Sequence, residues 1–211
     1  EVDRQGLAEN TCTFFTSDNG PSRESRNWLD GTQDFYYGGR TGGLKGHKFS
    51  LFEGGIRVPG ILYWPSKVPS RQILNIPCAS MDVFPTCLEA ANGDLSSFEI
   101  DGVSLLSVAC GNRQQTDRIL CWEMNKQNAV RLGKWKLVLQ GQPTESSRSD
   151  YKVHLSNLEE DIGEHLNLKD AHPKIVADLK GEVMDWREGI EIRWKKEFLN
   201  KNSETVTYNL Q

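Results

Sequence analysis

A short apolar run at residues 13–17, Thr-Phe-Phe-Thr-Ser, stops at Asp18-Asn19-Gly20-Pro21, and this stop constrains the fold more than any other feature of the chain. β-Branched and aromatic residues favour a strand, so residues 11–17 are expected to form one. The run lacks the alternation of a half-buried strand and reads as a central strand of a parallel sheet, buried on both faces. A strand that ends in Asp-Asn-Gly delivers a carboxylate and an amide carbonyl to the carboxyl edge of a sheet, where open α/β sheets bind ligands. Hard oxygen donors of this kind suit Ca²⁺ or Mg²⁺. The same tripeptide also reads as a plain turn, because Asn and Gly tolerate positive φ.

Residues 43–65, GLKGHKFSLFEGGIRVPGILYWP, place Lys45, His47 and Lys48 ahead of Glu53-Gly54-Gly55. Two cations this close in sequence can serve one anion, and with metal donors upstream they point to an anionic ester as substrate. Lys48 taken alone reads as a solvated surface charge, and His47 reads as a loop residue. Gly54 and Gly55 permit a tight turn, while Glu53 and Arg57 read as structural. A second strand is expected over residues 58–64, with Pro59 tolerable near its start.

Farther on, Met81, Phe84, Leu88 and Ala91 recur at the spacing of one helical face, and Asn92-Gly93 is a stop, so a helix is expected over residues 80–92. Composition turns polar near 113–117, which suggests one domain at 1–115 and a small α+β subdomain at 116–211. Within the latter, strands are expected at 119–122, at 129–132 and 135–139 around a Gly133-Lys134 turn, and at 153–158. Ile175, Leu179, Val183, Trp186, Ile190 and Trp194 form the apolar stripe of a helix over residues 173–199. Pro173 suits its first turn. Gly181 and Gly189 each weaken it by about 1 kcal/mol relative to Ala, so a bend or stop is expected near Gly189.

A formal charge of −4 leaves no basic footprint for nucleic acid. No apolar run approaches the roughly 18 residues of a membrane span, and the first ten residues lack the basic and apolar regions of a signal peptide. None of the five cysteines forms a Cys-x-x-Cys pair, which disfavours a zinc or redox motif. Cys12 and Cys87 stand in apolar runs and are expected to be buried. His154, His165 and His172 match no ligand spacing.

The order SDNGP, Lys, EGGIRVP and a strand ending in WP resembles the sulfatase family, in the subgroup that includes the arylsulfatases. The resemblance continues through MDVFPTCLEAAN, IDGVSLLSVACGN, AVRLGKWKLV and HLSNLEEDIGEHLNL. It implies an α/β fold: the second part of an alkaline-phosphatase-like α/β sandwich, followed by a small antiparallel β-sheet with a helix. It implies a Ca²⁺ ion with Asp18 and Asn19 among its ligands. It also implies that Lys48, five residues before Glu53, binds the sulfate and stabilises charge during S–O cleavage, with Lys45 the less favoured alternative. The substrate would be a sulfate ester of a sugar or an aryl alcohol, in an exported compartment.

The family's nucleophile is a formylglycine, made from a Cys/Ser-x-Pro-x-Arg motif, whose hydrated aldehyde attacks sulfur. No Cys or Ser in these residues has Pro two positions on. The chain is therefore expected to be the C-terminal portion of a sulfatase, with part of the metal site and the sulfate-binding Lys but without the nucleophile. A helix that usually follows the family's Val-Asp-Arg segment looks largely deleted after Gln5. The alternative is a non-catalytic sulfatase-like protein that binds a sulfated glycan or partner through Trp28, Tyr36 and Tyr37.

Overall fold

The computed structural model describes residues 1–22, 39–112, 117–144 and 151–199. Trp28, Tyr36, Tyr37 and the boundary expected between residues 115 and 116 lie outside the described residues. The chain divides into two compact units. One comprises Glu1–Lys48 and Glu53–Arg118, the other Phe49–Phe52 and Ile119–Gln211.

In the first unit, β1 (Thr13–Thr16) pairs antiparallel with β2 (Gly60–Tyr63), Thr13 opposite Tyr63 and Thr16 opposite Gly60. This corrects the expectation of a parallel, doubly buried strand, because Phe15, Ile61 and Tyr63 are all more than half exposed. A run of β-formers sets strand propensity but carries no information on how many neighbours the strand acquires. Among the described residues β1 has one.

A helical turn, α1 (Glu53–Ile56), precedes β2, and α2 (Val83–Ala90) and α3 (Leu106–Ala109) follow it. The expected apolar face of α2 is not the buried one. Met81 and Phe84 are exposed, whereas Asp82, Pro85 and Thr86 are buried. The cause is the fully buried Asp82 carboxylate. It accepts the Ala79 N–H at 2.8 Å and the Val103 N–H at 2.9 Å, and the Arg118 guanidinium grips both its oxygens. Thr86 extends the cluster: its hydroxyl donates to the Asp82 carbonyl at 2.6 Å and accepts the Leu105 N–H at 2.9 Å. A buried charge is tolerated only when donors replace its water, so this network dictates which face of α2 turns inward. Cys87 on the same helix is exposed, against expectation, and Cys12 is half-buried.

The second unit holds an antiparallel meander of β3 (Ile119–Met124), β4 (Gln127–Leu132), β5 (Trp135–Gly141) and β6 (Tyr151–Asn157), in that spatial order. Two-residue turns join the first three strands. Asn125 and Gly133 open these turns with φ of 55° and 56°, the left-handed conformation that such hairpins require. Val130, Leu137, Leu139 and Leu155 point from one face onto Leu179 and Val183 of α4 (Pro173–Trp194). By alternation, Val138, Lys136, His154 and Ser156 face the other way. There Lys136 and Glu164, both fully buried, pair at 3.2 Å. The free edge of β6 is occupied by Asn167, whose side chain accepts the Leu155 N–H at 3.1 Å and donates to the Val153 carbonyl at 2.9 Å. A side chain thus stands where a further strand would pair.

α4 runs unbroken through both Gly181 and Gly189 to Trp194, so the expected stop does not occur. Its first half is anchored by Leu179 and Val183, and its end is exposed, with Trp194 half open to solvent. A Cβ at either glycine would meet no atom within 4 Å. Gly181→Ala and Gly189→Ala should therefore each stabilise the protein by about 1 kcal/mol, read as a higher urea midpoint. Lys136→Met should cost about 3–5 kcal/mol, because it strips a buried carboxylate of its cation. Adding Glu164→Leu should recover most of that loss in the same denaturation experiment.

Candidate functional site

Three stretches of main chain lock together in the first unit. The Gly20 N–H donates to the Gly55 carbonyl at 2.8 Å, the Gly54 N–H to the Lys45 carbonyl at 2.7 Å, and the Lys48 N–H to the Pro21 carbonyl at 3.0 Å. The fit is too close for side chains. A Cβ on Gly20 would lie 1.9 Å from the Gly54 oxygen, and one on Gly54 would lie 2.3 Å from the Gly46 oxygen and 2.6 Å from that of Lys45. Gly54 in α1 therefore serves close approach to the Lys45-Gly46 main chain. The contacts tie the Asp18-Asn19-Gly20 turn and the Lys45–Lys48 segment to one glycine pair and, through Pro21 and Lys48, to each other.

Asp18 is exposed and Asn19 half-buried. The Asn19 N–H donates to Asp18 Oδ1 at 3.0 Å, Asn19 Nδ2 donates to the Gly20 carbonyl at 2.9 Å, and Ser17 Oγ donates to the Asn19 carbonyl at 2.9 Å. All three bonds are local, between residues one or two apart. They also hold the Asn19 amide by its nitrogen, leaving Oδ1 as its acceptor atom. The pair offers two hard oxygen donors of the kind Ca²⁺ takes, against the six to eight that fill its shell. The described residues contain no group of three or more His, Cys, Asp or Glu side chains able to hold a metal. Asp18 and Asn19 are thus donors of the right chemical type for Ca²⁺ and are too few to fill its shell.

Lys45 and Lys48 are both half-buried. Between them His47 is only 7% exposed, and its Nδ1 has no hydrogen-bond partner among the described residues. Sequence reasoning missed this burial, since a lone His between Gly and Lys carries no periodic signal. Glu53 is buried and pairs with Arg57 at 3.2 Å, one helical turn on. Phe49, directly after Lys48, is held at φ 75°. That is a left-handed conformation which bulky residues rarely adopt.

A family model described as Sulfatase matches residues 1–93. Arylsulfatase D of Homo sapiens is 38% identical over 114 residues, covering 52% of this chain and 18% of that protein. Arylsulfatase A of Bos taurus is 30% identical over 193 residues, covering 82% of this chain and 36% of that protein. The chain thus spans about a fifth to a third of the length of these curated relatives. Among solved structures, Ps i-CgsB in complex with k-i-k-neocarrahexaose superposes with a TM-score of 0.69 at 23% identity, over 97% of this chain and 45% of that one. The PsFucS1 sulfatase from Pseudoalteromonas sp. gives 0.64 at 20% identity, over 92% and 39%. The fold is the α/β fold of these proteins, alkaline-phosphatase-like as expected, with the antiparallel sheet and helix at its C-terminal end.

The glycine interlock is open to direct test. Gly54→Ala should destabilise by about 3 kcal/mol, because the added methyl meets rigid backbone oxygens. Gly60→Ala, where a Cβ meets nothing within 4 Å, is the control and should leave the thermal midpoint nearly unchanged.

Proposed function

Because the chain belongs to the sulfatase family, we propose that it supplies part of the calcium site and the sulfate-binding lysine of a sulfuric ester hydrolase. Its substrates would be sulfate esters of sugars or aryl alcohols. The observation that supports this reading is the interlock at Gly20, Gly54 and Lys45, which ties the Asp18-Asn19 turn to the Lys48 segment through main-chain bonds. Asp18 and Asn19 would hold the metal, and a bound Ca²⁺ supplies Lewis-acid charge to the sulfate oxygens. Lys48 places an ammonium at the sulfate and offsets the negative charge that grows as the S–O bond breaks. In this reading the nucleophile comes from a Cys/Ser-x-Pro-x-Arg segment outside these 211 residues, since none lies within them.

The test is a set of single variants in an active protein that contains these residues, assayed with an aryl sulfate. Asp18→Ala should weaken calcium dependence, and excess calcium should restore part of the turnover. Lys48→Ala should lower kcat about a hundredfold, the loss of one preorganised charge contact, and calcium should not restore it. Lys45→Ala should be much milder. A crippling Lys45→Ala beside a neutral Lys48→Ala would move the sulfate contact to Lys45. The 211-residue chain by itself should show no calcium-dependent turnover.

A further inference from the structure

We propose that Gln127 is a positioning residue for Lys48: its side-chain amide fixes the main chain directly after Lys48 and so sets the direction in which the lysine leaves the backbone. The inference rests on the reading of Lys48 as the sulfate contact. Gln127 opens β4 and is 1% exposed. Its Nε2 donates to the Phe49 carbonyl at 2.8 Å, and its Oε1 accepts the Leu51 N–H at 3.4 Å and the Gln142 N–H at 2.8 Å. One buried amide thus binds both the segment that follows Lys48 and the end of β5.

Two further observations point the same way. The Phe49 carbonyl belongs to the residue held at φ 75°, and strained backbone persists only where its surroundings over-determine it. Three residues on, Phe52 is fully buried, edge-on to the rings of Tyr151 and His154 at 5.3 Å. Gly141 makes room for it, since a Cβ there would lie 2.8 Å from the Phe52 ring. Residues Phe49–Phe52 are therefore fixed within the second unit. Lysine carries its charge on a flexible four-carbon stem, so the backbone is what aims it. A misplacement of about 1 Å at a reacting centre can cost on the order of a hundredfold in rate.

The experiment is a double-mutant cycle in an active protein containing these residues, assayed with an aryl sulfate and paired with thermal melts. Gln127→Leu removes every contact. Gln127→Glu keeps an acceptor for Leu51 and Gln142 and, when ionised, faces the Phe49 carbonyl with a repelling oxygen in place of the donor, and it decides the matter if the Leu variant fails to fold. Each is expected to lower kcat about tenfold in the Lys48 protein and less than twofold in a Lys48→Ala background, while the fall in Tm is the same in both. A merely structural role would move Tm but would not couple to Lys48. If Lys48→Ala is crippling and the Gln127 losses multiply with it in full, the positioning role is wrong and the Lys48 reading stands. If Lys48→Ala is neutral, the Lys48 reading fails and takes this inference with it.

Discussion

Carbonyl oxygens of Lys45 and Gly46 stand where a side chain on Gly54 would have to be, and the Gly54 oxygen stands where one on Gly20 would have to be. The rest of the first unit's site geometry depends on this exclusion. With no Cβ at either position, the backbones approach to hydrogen-bonding distance, and a turn early in the chain is held against a segment some thirty residues later. Acidic and basic side chains then project from a frame made of main chain, which has few ways to relax.

Each unit also holds a buried polar cluster whose members are specified by donors and acceptors as well as by shape. In the first, Asp82 gathers Ala79, Val103 and Arg118. In the second, Lys136 pairs with Glu164 beneath β5. Such groups add little net stability compared with apolar substitutes, but each tolerates few alternative arrangements. The apolar contact of the meander with α4 supplies the hydrophobic burial. The opposite face of the same sheet carries the specific contacts, including the amide of Gln127.

Much of the second unit was legible in the sequence. Gly133-Lys134 between two apolar runs is a hairpin signal, and the stripe from Ile175 to Trp194 is a helix signal, because both depend on local geometry. The failures involve partners distant in sequence. Thr-Phe-Phe-Thr announces a strand without announcing its neighbours. The stripe through Met81 and Phe84 lost to a carboxylate whose partner, Arg118, lies 36 residues away. The motif singles out Asp18, Asn19, Lys45 and Lys48, and main-chain bonds join the segments that carry them. Gln127 was not, because a buried amide at the start of a strand looks in sequence like any solvated one.

The separation between Gln127 and the Phe49 carbonyl, 78 residues along the chain, has a consequence for the order of folding. Closing so long a loop costs entropy before any contact rewards it, whereas the hairpins of the meander close over two-residue turns. Domains form from the N-terminus onward as a chain is synthesised, yet the peptide after Lys48 must wait until β4, β5 and β6 have emerged before its own seat exists. The peptide after Lys48 therefore takes its final conformation only after strands made well after it have formed their hairpins.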